Sequence, residues 1–157
     1  DFMLKERDKV GAEEAYEQAL FLDKDCPSAW LGKGKIMHRN GDLEGASRAL
    51  ERALAADSSL PEAWFARGVV AMASKSKEKA ESCFRKAIQI KPDYANAYVN
   101  LGNILFRSNQ LQEARSLYEQ ALKLRPSHRQ ARLNYGALLE EVGDVEALER
   151  LRELSSD

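Results

Sequence analysis

Residues 97–126 read AYVNLGNILFRSNQLQEARSLYEQALKLRP, and this stretch holds the pattern that decides the fold. From Leu111 to Leu124, apolar residues recur every three or four positions, which is the spacing of one face of an α-helix. The first half of the stretch has the same spacing. The polar residues SNQ at 108–110 separate the halves, and Pro126 ends the second, because proline cannot continue a helix interior. The stretch therefore predicts two short helices joined by a tight turn.

This helix–turn–helix pattern recurs along the chain with a period of 34 residues. Glycine, proline, tryptophan and alanine all return at this interval, and chance does not align four residue types in one register. The polar breaks return as well, as NGD at 40–42, SKS at 74–76 and VGD at 142–144. The clearest columns are Gly34, Gly68, Gly102 and Gly136; Pro27 and Pro61; Pro92 and Pro126; Trp30 and Trp64; and Ala12, Ala46, Ala80 and Ala114.

The period divides the chain into three full repeats, flanked by parts of two more. The N-terminal part corresponds to the end of a first helix plus a second helix, so we expect the chain to be a piece of a longer protein. The predicted units are 1–26, 27–60, 61–94, 95–128 and 129–157. The predicted helices lie at about 8–22, 27–39, 42–56, 61–73, 76–90, 95–107, 110–124, 129–141 and 144–154.

The glycine column requires a packing reason, because glycine inside a helix costs roughly 1 kcal/mol relative to alanine. Each repeated glycine lies midway along a first helix, where the missing side chain lets the partner helix approach closely. We expect large aromatic residues to alternate with these small ones in the core. They are Trp30, Trp64 and Tyr98 on the first helices, and Tyr16, Phe84 and Tyr118 on the second ones.

The period, the paired helices and the order Trp, Gly, Ala, aromatic, Ala, Pro resemble tetratricopeptide repeats over essentially the whole chain. The resemblance implies an all-α fold, a right-handed superhelical solenoid of antiparallel helix pairs whose first helices line a concave face. Lys33 and Arg67 depart from the pattern, which normally has an apolar residue just before the glycine. The last unit departs further, with Arg132 in the tryptophan column. It is either a polar terminal cap or a degenerate repeat followed by more protein.

Removing the core positions from each first helix leaves a second stripe at spacings of three and four, which is the expected inner face. Several large apolar residues fall on this stripe, and an exposed apolar patch is typical of an interaction site. The expected peptide-binding residues are Leu31, Lys35, Phe65, Val69, Met72, Asn96, Val99, Asn100, Asn103, Phe106, Leu133 and Asn134.

Asn100 and Asn134 lie 34 residues apart on this stripe. An asparagine side chain offers one acceptor and two donor hydrogens, which suits bidentate pairing with the main chain of an extended peptide. The segment AYVNLGN at 97–103 resembles the first helix of O-linked N-acetylglucosamine transferase repeats, which carry such an asparagine ladder. The ladder is incomplete, because Gly32 and Ala66 stand at the matching positions. A simpler interpretation also stands, namely that asparagine tolerates an exposed helix face.

The composition argues against several other classes of function. With 24 Lys and Arg against 25 Asp and Glu, the net charge of −1 lacks the positive field that nucleic-acid binding needs. Cys26, Cys83 and the two histidines have no metal-ligand spacing, so we expect no metal, cofactor or catalytic residue. No apolar run is long enough to cross a membrane, and the N-terminal DFMLKERDK has no secretory core, which favours the cytoplasm.

The charge is distributed unevenly along the repeats. Units 1–26 and 129–157 carry −4 and −3, whereas the three middle units carry +1, +3 and +2. This asymmetry favours a partner segment with some acidic character and permits self-association by stacking of copies. Much of the positive charge lies on a predicted second helix, so a solvated outer face is the simpler interpretation.

The sequence therefore predicts a non-enzymatic adaptor that binds a peptide segment of a partner protein. The alternative is a substrate-selecting arm of a larger enzyme such as a glycosyltransferase, and RNA binding by a helical repeat is a weaker third. The clamp with which some tetratricopeptide proteins hold chaperone tails is missing. Its lysine and asparagine places carry Leu31 with Lys35, Phe65 with Val69, Val99 with Asn103, and Leu133 with Ala137.

Overall fold

The computed structural model describes residues 2–153, with side chains from Gly11 onward. In this part of the chain there are nine helices and no strand. Helices α2 to α9 begin and end within one residue of the predicted positions, and residues 1 and 154–157 lie outside the description. The helices are α1 (Phe2–Leu22), α2 (Pro27–Arg39), α3 (Leu43–Ala56), α4 (Pro61–Ala73), α5 (Lys77–Ile90), α6 (Ala95–Arg107), α7 (Leu111–Leu124), α8 (Arg129–Val142) and α9 (Val145–Glu153).

Helix α1 corrects the expectation for the N-terminal residues. We expected the end of one helix followed by a second helix from about residue 8, but Phe2–Leu22 is a single uninterrupted helix. Residues 6–8, ERD, stand where the NGD turn stands one repeat later, at 40–42. They contain neither glycine nor proline, and Glu and Arg favour the helix, so nothing in this segment ends it.

The chain divides into two compact units, Asp1–Ile90 and Lys91–Asp157. In the first unit each of α1 to α4 packs on the next helix, and α2 also contacts α4. In the second unit α6, α7 and α8 each pack on the next helix, and α6 also contacts α8. Short turns join the helices of each pair, which therefore run antiparallel.

The predicted reason for the repeated glycines is confirmed in three of the four pairs. A Cβ added to Gly102 would lie 2.8 Å from the ring of Tyr118, which is fully buried. Gly136 differs, because the nearest atom to an added Cβ there lies 3.8 Å away, on Leu148. Two further close pairs have the same spacing in sequence, Gly34 with Leu50 at 2.8 Å and Gly68 with Phe84 at 2.7 Å.

The aromatic residues that head the first helices are only partly buried, which corrects their expected place in the core. Each uses its polar atom to hold the turn before its own helix. The indole Nε1 of Trp30 donates to the carbonyl of Lys24 at 2.8 Å. The same bond recurs from Trp64 to Ser58 at 2.8 Å, and from the Tyr98 hydroxyl to Pro92 at 3.0 Å. A half-buried Trp or Tyr suits this role because one end of the ring is apolar and the other is polar.

The two departures before the glycines are explained by ion pairs between successive helix pairs. Lys33 Nζ lies 3.6 Å from Glu17, and Arg67 lies 3.1 Å from Glu51. In the second unit the Tyr135 hydroxyl donates to Glu119 across the same spacing, at 2.6 Å. Polar residues therefore replace the usual apolar one where the preceding second helix offers a glutamate.

His128 is the N-cap of α8 and also ties α8 to α6. Its Nδ1 accepts the backbone N–H of Ala131 at 3.3 Å, so Nε2 carries the proton and donates to Asn96 Oδ1 at 2.8 Å. Burial, together with the charge of Arg125, lowers the pKa of His128 below its ordinary value. The structure therefore favours the neutral ring, in which one nitrogen accepts and the other donates.

Alanine substitutions should have opposite effects at Gly102, where an added Cβ has no room, and at Gly136, where it has room. We expect Gly102→Ala to lower the free energy of unfolding by about 1–3 kcal/mol, because the new methyl group displaces the Tyr118 ring. Gly136→Ala has room and should raise the free energy of unfolding by up to about 1 kcal/mol through helix propensity. Urea denaturation followed by circular dichroism measures both, and equal effects would contradict the packing role.

The state of His128 should make stability depend on pH. The unfolded chain takes up a proton first as pH falls below about 6.5, because the pKa of His128 is lower in the folded protein. Its contribution to stability is therefore complete above that pH and is lost as pH falls through the folded pKa. His128→Asn, which caps a helix without titrating, should lose less stability than the wild type between pH 7 and pH 5. If the urea midpoint falls by the same amount between pH 7 and pH 5 in both proteins, His128 is not the source of the pH dependence.

Candidate functional site

The predicted site residues fall in both compact units, and each unit presents its own set. The first face comprises five residues on α2 and α4 of the first unit. The amide face comprises seven residues on α6 and α8 of the second unit. The first face is Leu31, Lys35, Phe65, Val69 and Met72; the amide face is Asn96, Val99, Asn100, Asn103, Phe106, Leu133 and Asn134.

The first face is mostly apolar and half-buried. Lys35 is exposed, whereas Phe65, Val69 and Met72 keep part of their surface accessible. The ring of Phe65 packs on Phe84 of α5, with centroids 5.6 Å apart. Phe65 therefore belongs partly to the core of its own helix pair, and a charged substitution there would test folding as well as binding.

Leu31 also has a structural share, because it packs against two clusters of buried residues in the first unit. The clusters contain Ala46, Leu50, Ala66 and Val70, and Ala53, Leu54 and Ala63. Part of the predicted apolar stripe is thus the edge of the core.

Side-chain hydrogen bonds connect the residues of the amide face, and they converge on the Oδ1 atom of Asn103. Gln130 Nε2 donates to Asn134 Oδ1 at 2.8 Å, and Asn134 Nδ2 donates to Asn103 Oδ1. The Tyr118 hydroxyl also donates to Asn103 Oδ1, at 2.7 Å. These bonds join α6 to α7 and α8, so Asn103 is fixed by two neighbouring helices.

The three asparagines of α6 differ in what they still offer a ligand. Asn96 Oδ1 is engaged by His128, and Asn103 Oδ1 by Tyr118 and Asn134. Within residues 11–153, whose side chains the structure describes, no acceptor engages the amide hydrogens of either residue. In the same range Asn100 has no hydrogen-bond partner for its side chain and keeps its acceptor and its donors.

Val99 was expected on the exposed stripe, and this prediction is wrong, because only 2% of its surface is accessible. Spacings of three and four show which side chains share a helix face but not how many neighbours cover it. Helix α6 is buried around much of its circumference, including Ala95, Leu101 and Ile104. On α8, by contrast, Leu133 is 57% exposed, as predicted for an interaction residue.

Helix α6 contributes a positive charge to the amide face, whereas α8 carries charged residues of both signs. Helix α6 contains no acidic residue, and its one charged residue is Arg107 in the last turn. Burial raises the pKa of Tyr118 to about 12, and the charge of Arg107 opposes this rise. Tyr118 is thus protonated at neutral pH and remains a donor to Asn103.

The sequence-based site omitted the residues that orient the asparagines. Gln130 lies four positions before Asn134, a spacing that places the two side chains together on one helix and was available from sequence. The contacts of His128 with Asn96 and of Tyr118 with Asn103 join different helices. No local pattern indicates them, because they depend on how the helices are packed.

Other chemical groups offer less. Within residues 2–153 no three His, Cys, Asp or Glu residues come together as a metal site. A cleft of about 430 Å³ opens between α3, α4 and α5 in the first unit, with Cys83 in its lining. Burial raises the pKa of the Cys83 thiol, which disfavours the reactive thiolate. The cleft is rimmed by serines and by the paired Arg67 and Glu51.

Comparison with known proteins identifies the repeats. Two sequence profiles described as tetratricopeptide repeat match adjoining stretches, residues 4–61 and 59–127. No curated protein matches the sequence. In the part of the chain that the structure describes, no helix is both long and apolar enough to cross a membrane.

Three solved structures illustrate the likeness. MamA is 24% identical with a TM-score of 0.83, covering 99% of this chain and 94% of its own. The first TPR of Spaghetti, bound to an HSP90 peptide, is 23% identical with a TM-score of 0.72, covering 77% of this chain and 96% of its own. The O-GlcNAc transferase of Thermobaculum terrenum is 27% identical with a TM-score of 0.68, covering 74% of this chain but 22% of its own. These structures share the fold of the chain, and the two profile matches, which together span residues 4–127, show that the chain belongs to the tetratricopeptide-repeat family.

Proposed function

We propose that this chain is a non-enzymatic protein–protein interaction scaffold that binds a peptide segment of a partner protein on the first helices of its repeats. The tetratricopeptide fold supports a scaffold role in general. The observation that carries the finer proposal is the amide face, where Asn100 keeps its full hydrogen-bonding capacity beside the oriented Asn103 and Asn134.

The amide face combines the two features that peptide recognition needs. Fixed amides can hydrogen-bond the main chain of an extended segment without selecting its side chains, and their fixation by Tyr118 and Gln130 reduces the entropy lost on binding. Leu133, which precedes Asn134 on α8, adds exposed apolar area. Apolar contact would supply affinity and the amides would set the register.

The first face would contribute a second, mainly apolar contact region through Phe65, Val69 and Met72, with the exposed Lys35 beside them. One similar structure supports this use of the fold, since the first TPR of Spaghetti is bound to an HSP90 peptide. A chaperone tail itself is not proposed as the partner here, because the lysine place of the family's chaperone clamp is apolar in every repeat and only Asn103 matches its asparagine place.

A second candidate is a substrate-selecting arm of a larger enzyme. The similarity to a bacterial O-GlcNAc transferase favours it, since that match covers most of this chain but only 22% of the transferase. The two candidates differ in what adjoins the repeats. A catalytic domain encoded in the same reading frame would favour the arm, and its absence from the complete gene would favour the independent scaffold.

Two substitutions on the amide face should weaken peptide binding. Asn100→Ala removes a free amide without breaking a protein hydrogen bond, and Leu133→Glu places a charge where apolar contact is expected. We expect each to weaken binding of peptides selected by the wild type from a random displayed library by about two- to tenfold. Fluorescence anisotropy with the labelled peptides measures the change.

The chain supplies a matched control for each substitution. Val145→Glu changes an apolar residue of similar exposure, 63%, at the start of α9. Gln112→Ala removes an exposed amide from α7. Both controls should bind the selected peptides like the wild type. Equal affinity of Asn100→Ala and Leu133→Glu to these controls, with helicity retained, would refute the proposed face.

A further inference from the structure

The direction of the hydrogen bonds on the amide face determines which ligand atoms it can accept. Asn103 Oδ1 already receives two donors, from Tyr118 and Asn134, so the remaining capacity of Asn103 lies in its Nδ2 hydrogens. Asn96 differs, because its Oδ1 accepts one hydrogen bond, from His128, and keeps a second lone pair. Asn103 is therefore the asparagine of α6 that presents only donor groups. Such groups need acceptors, which are carbonyl or carboxylate oxygens.

Arg107 adds a positive charge to this donor set. It lies four residues after Asn103, which places both side chains on the same side of α6. The Tyr118 hydroxyl donates to Asn103, and the charge of Arg107 opposes the rise that burial causes in the pKa of Tyr118. Arg107 is exposed and has no ion-pair partner among residues 11–153, whose side chains the structure describes.

The combination of an asparagine with a cation four residues later is specific to this repeat. The positions equivalent to Arg107 in the neighbouring repeats carry Ala73 and Glu141, and the one in α2 carries Arg39. The positions equivalent to Asn103 carry Lys35, Val69 and Ala137, so no other repeat pairs an amide with an arginine at this spacing.

We propose that the peptide bound by the amide face carries an Asp or Glu residue, whose side-chain carboxylate contacts Asn103 Nδ2 and the guanidinium of Arg107. This inference rests on the proposed peptide binding and specifies the class of peptide. A side chain is favoured over a terminal carboxylate because Arg107 is exposed in the last turn of α6, past the amides that would hold the main chain. An Asp or Glu side chain that extends from the bound main chain would reach Arg107.

The test uses decapeptide libraries with acetylated and amidated ends, randomised over uncharged residues. One library has Glu fixed at a central position, the second has Gln there, and a third has Gln with a free C-terminal carboxylate. The immobilised chain is incubated with each library at low salt, and retained peptide is quantified. We expect about fivefold greater retention of the Glu library than of the Gln library, which corresponds to one partly exposed ion pair.

Two variants test whether Arg107 causes the preference for the Glu library. Arg107→Gln removes the charge without breaking a hydrogen bond or ion pair of the described side chains, and this variant should retain the Glu and Gln libraries equally. Arg39→Gln makes the same change at the equivalent position of α2 and should keep the fivefold preference. Both substitutions are on exposed residues, and unchanged circular dichroism confirms that both variants fold.

Each remaining outcome overturns a defined part of the inference. Equal retention of the Glu and Gln libraries by the wild type leaves peptide binding intact and refutes the acidic preference. A preference that survives Arg107→Gln refutes the role of Arg107. Selective retention of the third library shows that a terminal carboxylate, and not a side chain, is recognised. Failure to retain any library refutes the proposed function itself.

Discussion

The contact on which the rest of the structure depends is the close approach of a large side chain to a glycine on the neighbouring helix. Tyr118 rests against Gly102, and Leu50 and Phe84 rest in the same way against Gly34 and Gly68. This contact sets the distance between the two helices of a pair, and the other repeated contacts depend on that distance. Where the large partner is absent, at Gly136, the packing is looser, with 3.8 Å to the nearest side-chain atom.

Polar groups then fix how successive helix pairs follow one another. The ring nitrogen of Trp30 holds the turn before its helix, and the lysine and arginine that replace the usual apolar residue pair with glutamates on the preceding helix. Exposed ion pairs of this kind contribute little stability individually, about 0–1 kcal/mol. Their value is in specifying register, while the apolar contacts supply most of the free energy of folding.

The amide face shows how the same architecture can carry recognition. Its asparagines are not independent surface residues, because Tyr118, Gln130 and His128 engage their oxygens and leave mainly N–H groups available. The sequence argument treated each asparagine as both donor and acceptor, which fails for Asn103, because its oxygen already accepts two hydrogen bonds. An aromatic side chain that packs against a glycine thus also decides, through its hydroxyl group, the polarity of the binding face.

The sequence by itself determined the helices, because the 34-residue period and the turn residues are local signals, and α2 to α9 lie within one residue of their predicted ends. It also identified Leu133 as exposed and the glycines as packing positions. Only the tertiary structure decided that Val99 is buried, that α1 continues without a break and that Asn103 can only donate. The physical reason is the range of the interactions. Helix formation and turns depend on neighbours along the chain, whereas burial and hydrogen-bond direction depend on side chains that packing brings together from different helices.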